Sequence, residues 1–82
     1  ELYLRGLFLG NIDKNAFKNL RNLRKIDLGI NNLQDLTSLF ENLTSLKELN
    51  LYKNKIYLVH SNFFRNSINL EWLDLSYNKV RY

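Results

Sequence analysis

The chain has 82 residues, 45% of them apolar, and a net charge of +4, so it has enough apolar content to pack one small core. Cysteine is absent, which excludes disulfides and thiolate metal sites within these residues, and no apolar run approaches the roughly 20 residues of a membrane helix. The mild positive charge favours solubility and leaves nucleic acid open as a partner without indicating it.

A repeated spacing of leucine and asparagine runs along the chain, in which leucine takes 18 positions and asparagine 13. The motif is L-x-x-L-x-L-x-x-N-x-L, with isoleucine or valine in some leucine places. It occurs over residues 23–33, 46–56 and 70–80. A shorter copy opens the chain with Leu2, Leu4 and Leu9, and spacings of 24, 23 and 24 residues separate the four copies. Agreement over so many phased positions predicts a repeat architecture.

Each copy predicts a β-strand followed by a return segment. Over residues 26–28 and their counterparts, apolar and polar residues alternate with the period of two of a strand that buries one face. Copies stacked side by side make a parallel sheet. Phe17, Leu20 and Leu23 are spaced by three, which fits a short return that is helical or irregular.

Further phased positions are predicted to complete the framework. They are Phe17, Phe40 and Phe64, then Leu20, Leu43 and Ser67, and lastly Ile12, Leu36 and Val59. The amides of Asn31, Asn54 and Asn78 carry both a donor and an acceptor, so this column is expected to pair the backbone groups of adjacent turns. Leu7 stands at this place in the first copy, and we expect it to bury itself in the gap left by the missing amide.

These phased residues resemble the leucine-rich repeat family over essentially the whole chain. The 24-residue length, with leucine three and six residues after phenylalanine, is similar to the typical class of extracellular receptors. Residues 12–20 and 73–78 particularly resemble Toll-like receptor ectodomains. The resemblance implies an α/β solenoid, a horseshoe arc of about three and a half repeats with a parallel β-sheet on its concave face. The repeats are expected at about residues 1–22, 23–45, 46–69 and 70–82, as an uncapped fragment of a longer solenoid.

The same resemblance implies a non-catalytic recognition module in the extracellular part of a membrane receptor of innate immunity. It implies a protein or pathogen-derived ligand, receptor dimerisation, and signal transduction through a domain outside these residues. Two alternatives stay open at this point: a secreted or matrix scaffold for adhesion or guidance, and an intracellular regulator of an enzyme in the cytoplasm.

Function in a solenoid is expected at the positions that the repeat does not dictate. Side chains between the strand leucines are predicted to face the concave side, where aromatic and charged residues favour binding of a protein partner. The predicted ligand-binding residues are Tyr3, Arg5, Lys25, Asp27, Glu48, Asn50, Tyr52, Trp72, Asp74 and Tyr77. The alternative is a solvated sheet on which Lys25 and Glu48 are simply cross-strand partners.

Two other features lie away from the concave side. Four basic residues are predicted at one lateral edge, just beyond the strand ends, where a solvated rim or an acidic partner would both explain them: Lys53, Lys55, Lys79 and Arg81. Asn42-Leu43-Thr44 is an N-glycosylation triplet, and its phase puts Asn42 on an exposed return segment.

Catalysis finds little support in the sequence. His60 is the sole histidine and has no acid or nucleophile at a fixed spacing, which indicates an ordinary surface residue. Asp27 and Asp74 are expected two strands apart in an open groove, where nothing shifts their acidity. The sequence therefore predicts no enzyme activity, no catalytic residue, no cofactor and no metal site.

Overall fold

The structure, a computed structural model, describes residues 1–36, 39–59 and 66–80. Four short strands form one parallel sheet in the order β1-β2-β3-β4. The strands are β1 (Leu2–Tyr3), β2 (Lys25–Asp27), β3 (Glu48–Asn50) and β4 (Trp72–Asp74). The return segments consist of turns and irregular backbone, with no helix in the described ranges, so the irregular form of the predicted return is the correct one.

The strands pair with equivalent positions of the repeat directly opposite each other. Lys25 lies opposite Glu48, and Glu48 lies opposite Trp72. This register follows from the motif, because only one alignment points the apolar residues of every strand into the same core. The pairing therefore confirms that Lys25 and Glu48 are cross-strand partners.

The core lies between the sheet and the returns. Ile26 and Leu49 fill it from the strands, and Phe17 stacks on Phe40 from the returns with ring centroids 6.3 Å apart. Phe64, which shares the phase of these two residues, lies outside the described residues. Other buried apolar residues are Leu28, Leu33, Leu36, Leu39, Leu43, Leu46, Leu51 and Ile56.

The asparagine column pairs the backbone of adjacent turns as predicted. Asn54 Nδ2 donates to the carbonyls of Leu28 (3.0 Å) and Leu51 (3.1 Å), and its Oδ1 accepts the N–H of Leu33 (3.1 Å). Asn78 makes the equivalent bonds one repeat further on. Each amide therefore bonds its own turn to the turn of the preceding repeat.

Leu7 corrects one expectation, since its side chain is 53% exposed rather than buried. The turn needs no amide of its own because Asn31 of the next repeat supplies one. Asn31 Oδ1 accepts the N–H groups of Leu7 (3.1 Å) and Leu9 (3.0 Å), while Nδ2 donates to the Leu4 carbonyl (2.9 Å). With these groups paired from outside, the leucine side chain has no polar gap to fill and faces solvent.

Every repeat turns sharply at the residue before the asparagine place. Ile30, Lys53 and Tyr77 have φ of 53°, 53° and 57°, and Gly6 has 71° at the same place in the first repeat. This left-handed conformation is unfavourable for residues other than glycine, and most of all for β-branched Ile30. The Ile30 N–H donates to the Tyr52 carbonyl at 2.7 Å, so a bond to the neighbouring repeat holds the strained turn.

Ser67 takes the place that Leu20 and Leu43 hold in the earlier returns. It is buried, whereas Leu20 of the same phase is 40% exposed, and its hydroxyl has no hydrogen-bond partner among the residues that the structure describes. An unpaired buried hydroxyl costs about 1–3 kcal/mol. Ser67 therefore contributes less stability to the core than Leu43, which is fully buried at the same place of the second return.

Candidate ligand-binding surface on the sheet

The outward side of the sheet, here called the strand face, carries all ten predicted ligand-binding residues. They are Tyr3, Arg5, Lys25, Asp27, Glu48, Asn50, Tyr52, Trp72, Asp74 and Tyr77. Those on the strands alternate with the buried strand residues, which is why one face can be polar above an apolar core, whereas Tyr77 is a turn residue beyond β4. Three of the rings are exposed: Trp72 is 48% exposed, Tyr3 56% and Tyr77 71%.

One cluster of the strand face joins the first three strands. Lys25 Nζ lies 3.4 Å from Glu48 Oε2 and 5.6 Å from the centre of the Tyr3 ring. The Tyr3 hydroxyl donates to Glu1 Oε2 at 2.7 Å, which lowers the pKa of Glu1 and raises the pKa of Tyr3. The pKa of Lys25 is raised, first by the charge of the Tyr3 oxygen and then by the hydrogen bond and charge of Glu48. The pair of Lys25 and Glu48 is the predicted cross-strand pair, and solvent screens it.

A second cluster lies at the strand ends. The Arg5 guanidinium lies over the Tyr52 ring, 5.5 Å from its centre, and Nη1 is 3.5 Å from Asp27 Oδ2. The Tyr52 ring packs in turn on Tyr77, with centroids 5.2 Å apart. Gly29 takes in the second repeat the place that Arg5 takes in the first and Tyr52 in the third. A Cβ on Gly29 would come within 3.2 Å of Arg5 Nη1. The missing side chain therefore lets arginine reach a ring two strands away.

Three predicted ligand-binding residues also build the turns after their strands. Oδ1 of Asp27, Asn50 and Asp74 each accepts, at 2.9 Å, the N–H of the residue two positions on. Asp74 Oδ1 also accepts the Ser76 hydroxyl at 2.5 Å, and this bond, followed by the backbone bond, lowers the pKa of Asp74.

Neither this turn role nor the space at Gly29 was predicted from the sequence. A signal for the turns was present, because aspartate or asparagine at a strand end commonly bonds the backbone two residues on. A glycine among outward-facing positions was likewise a signal that a neighbouring side chain approaches the backbone closely.

A depression of about 300 Å³ opens beside Trp72 on the strand face. It is lined by Lys25, Ile26, Asp27, Glu48, Asn50 and Trp72. Its walls thus combine an indole ring with carboxylates, an amide and one ammonium group. Such a mixture suits a polar or charged group of a partner better than an apolar one, because burying unpaired charges against an apolar group is costly.

Charge is unevenly divided over the molecule. The ten residues of the strand face include three carboxylates and two cations: Asp27, Glu48 and Asp74 with Arg5 and Lys25. The remaining sequence holds ten basic residues against five acidic ones, and one of the basic residues, Lys53, takes in the third repeat the place that Tyr77 takes in the fourth. The strand face is therefore net negative on a chain whose total charge is +4.

A family model for the leucine-rich repeat matches residues 1–56 and 36–80, which together cover nearly the whole chain. The chain belongs to the leucine-rich repeat family. It is 42% identical to human Toll-like receptor 5 over 73 residues, covering 85% of this chain. It is 32% identical to the rat leucine-rich repeat-containing G-protein coupled receptor 5 over 101 residues, covering 95% of this chain. The chain spans 8% and 11% of the lengths of these relatives.

Leucine-rich repeats are in general non-catalytic protein-interaction modules, which directs attention to the strand face. Within the described ranges no group of three or more histidine, cysteine, aspartate or glutamate side chains could hold a metal ion. No helix in that part of the chain is long and apolar enough to cross a membrane. His60 lies outside the described residues.

Two further predicted features are the glycosylation triplet and the basic lateral edge, and their described residues are exposed. Asn42 lies in a turn of the second return with its side chain in solvent. At the lateral edge, Lys53, Lys55 and Lys79 are exposed, whereas Arg81 lies outside the described residues. These cations form no ion pair with a described acidic residue, which fits a solvated rim.

Proposed function

We propose that this leucine-rich repeat segment belongs to the extracellular ligand-binding region of a Toll-like or related innate immune receptor. In this proposal the strand face contacts a protein or pathogen-derived ligand. The observation that carries the proposal is the aromatic group of exposed Trp72 and Tyr77 with half-buried Tyr52, among charged residues on a paired sheet. Tryptophan, tyrosine and arginine are the residues that contribute most binding energy at protein interfaces.

Resemblance to two receptors supports the receptor part of the proposal. The similarity to human Toll-like receptor 5 favours innate immunity within that class, because it has the higher identity of the two, at 42%. The chemistry of the strand face supports the ligand-binding part. Dimerisation of the receptor has no described contact behind it and stays a prediction.

The binding test uses the full-length protein displayed on cells and fluorescently labelled proteins from a bacterial extract. We expect replacement of Trp72 and Tyr52 by alanine to weaken binding at least tenfold, since two central rings contribute about 2 kcal/mol or more each when they are interface hot spots. Tyr57→Ala is the matched control, because Tyr57 is a tyrosine with similar exposure to Trp72 that lies off the strand face. Unchanged binding by the double variant, or an equal loss in the control, would contradict the proposal.

The extracellular part of the proposal is tested separately at Asn42. We expect a glycan there, because the triplet is present and the asparagine side chain is exposed and makes no described hydrogen bond. Mass spectrometry of peptides from secreted or surface protein, before and after enzymatic removal of glycans, measures its occupancy. Thr44→Ala removes the acceptor triplet and is expected to abolish the modification. Bare Asn42 in protein that has passed through the secretory pathway would remove this support.

A further inference from the structure

Aromatic rings of the strand face bind cations in a repeated arrangement. Lys25 lies over the Tyr3 ring at 5.6 Å and contacts the carboxylate of Glu48. Arg5 lies over the Tyr52 ring at 5.5 Å and contacts the carboxylate of Asp27. In both places a cation thus interacts with the negative face of a ring and with an acidic side chain at once. The same local chemistry occurs twice on one sheet.

Trp72 has the ring and the acidic neighbours of this arrangement without the cation. It pairs directly opposite Glu48, so the two residues stand one strand spacing apart, about 4.8 Å. Asp74 follows two residues later on the same side of β4, which places its carboxylate about 7 Å further along the strand. No cation of the described residues lies over the indole, which is the aromatic ring that attracts cations most strongly.

The depression beside Trp72 has room for a side chain of a partner. Its volume of about 300 Å³ opens to solvent between the indole and the residues of the two preceding strands. One oxygen of Asp74 is taken by the turn, and Oδ2 has no hydrogen bond with a described residue. The amide nitrogen of Asn50 is likewise without a described bond, because its oxygen closes the turn. Polar groups therefore remain available around the indole.

The charge of the surroundings favours a cation over an anion. Carboxylates outnumber cations on the strand face, although the chain as a whole is basic. Both cations there already lie beside a carboxylate, Lys25 beside Glu48 and Arg5 beside Asp27, whereas Asp74 has no cation of the described residues within ion-pair distance. An apolar group is disfavoured as well, since it would strip water from the surrounding carboxylates without replacing their bonds.

We propose that the depression beside Trp72 binds the side chain of an arginine or lysine from a protein partner. The cation lies over the indole face, with Glu48 of the lining and Asp74, which follows Trp72 on β4 just outside the lining, as its acidic neighbours. This inference rests on the proposed role of the strand face as the binding surface, and it specifies the chemistry of the partner residue that is bound there.

The test uses the chain and two matched peptides. One is a short glycine–serine peptide carrying several arginines, and in the other each arginine is replaced by citrulline, which has the same shape without the charge. Trp72 is the sole tryptophan, so its fluorescence and its indole N–H resonance report directly on the depression. We expect a saturable change with the arginine peptide and binding at least tenfold weaker with the citrulline peptide. Equal responses to both peptides would overturn the proposal.

Two isosteric variants separate a local site from general attraction to a basic peptide. Glu48→Gln and Glu41→Gln each remove one negative charge, but Glu41 lies on a return segment away from the strand face. We expect Glu48→Gln to weaken binding of the arginine peptide roughly three- to tenfold and Glu41→Gln to leave it within about twofold. Equal effects of the two variants would show that the peptide responds only to total charge, and the site would be wrong.

The outcomes for this site and for the proposed function can be told apart. Trp72→Ala in the full-length protein tests the strand face with labelled proteins from a bacterial extract, whatever the chemistry of the ligand. If that variant loses binding while Glu48→Gln does not, and citrulline serves as well as arginine, the strand face is still the binding surface and the cation site is refuted. If Trp72→Ala and Glu48→Gln both bind the extract proteins normally, while the unchanged chain still binds the arginine peptide saturably, the proposed function fails and the cation site stands.

Discussion

Asp27, Asn50 and Asp74 each have two roles in one side chain. The inner oxygen accepts a backbone N–H and closes the turn after the strand, while the other polar atom is directed to the strand face. Aspartate and asparagine are suited to this because the short side chain reaches the backbone two residues on. Replacing any of them in a binding study would therefore change the turn as well as the surface.

The pair of Asp74 and Ser76 makes a testable contribution to stability. Because the pKa of Asp74 is lowered in the folded chain, first by the Ser76 hydroxyl and then by the Ser76 N–H, its ionised form stabilises the fold. This stabilisation is fully present above the unfolded pKa, about 3.9, and is lost as the pH falls through the lower folded pKa. We expect Ser76→Ala to unfold at a lower temperature than the unchanged chain at neutral pH, with the difference shrinking in acid.

Thermal unfolding measured from neutral pH to about pH 2 checks this, together with an NMR titration of the Asp74 carboxylate. The pKa of Asp74 should rise in Ser76→Ala without reaching its ordinary value, since the backbone bond remains. Ser45→Ala on the second return is the control and should leave the titration unchanged. A difference in unfolding temperature that is the same at every pH would show that the hydroxyl acts in some other way.

At the scale of the strand and its turn, Gly29 determines how far a neighbouring side chain reaches. The guanidinium of Arg5 passes over this residue to the Tyr52 ring, and Asp27 holds it from the side. A Cβ on Gly29 would lie 3.2 Å from Arg5 Nη1 and 3.1 Å from Asp27 Oδ1. Both contacts are closer than ordinary van der Waals distance, so the side chains of Asp27 and Arg5 must each give by a few tenths of an ångström.

We expect Gly29→Ala to shift Arg5 relative to the Tyr52 ring while leaving the sheet in place. Protons of the Arg5 side chain should then lose part of the upfield NMR shift that a ring current produces, because they lie farther from the ring. Gly10→Ala is the matched control, since a Cβ there meets no atom within 4 Å. Retention of the Arg5 shift in Gly29→Ala would show that the arginine reaches the ring by another route.

Repeat phase predicts the register of the sheet because one alignment satisfies every apolar position. The phase alone thus predicts that Lys25, Glu48 and Trp72 lie side by side on neighbouring strands, as they do. Leu7 could not be predicted in the same way, since its surroundings depend on an amide that arrives from the next repeat. The position of Arg5 over the Tyr52 ring could not be predicted either, because it depends on a glycine in one repeat and a tyrosine in another. Such contacts cross repeats at positions that the motif leaves free.

At the scale of the whole molecule, the two sides of the sheet have different characters. The strand face carries the exposed indole of Trp72, the tyrosines and an excess of carboxylates. The return side carries Asn42 in an exposed turn, and most of the basic residues lie off the strand face. A glycan at Asn42 would leave the strand face uncovered, so the proposed binding surface and the proposed modification are compatible on one molecule.

The framework bonds of the asparagine column join amides to main-chain atoms alone. Asn31, Asn54 and Asn78 contact N–H and carbonyl groups, and no described bond of theirs depends on the identity of an outward side chain. Substitutions of outward side chains on the strand face therefore leave the hydrogen bonds of the asparagine column in place. A lineage can exchange Trp72, Tyr52 or Lys25 for other residues and acquire a new ligand while inheriting the same scaffold.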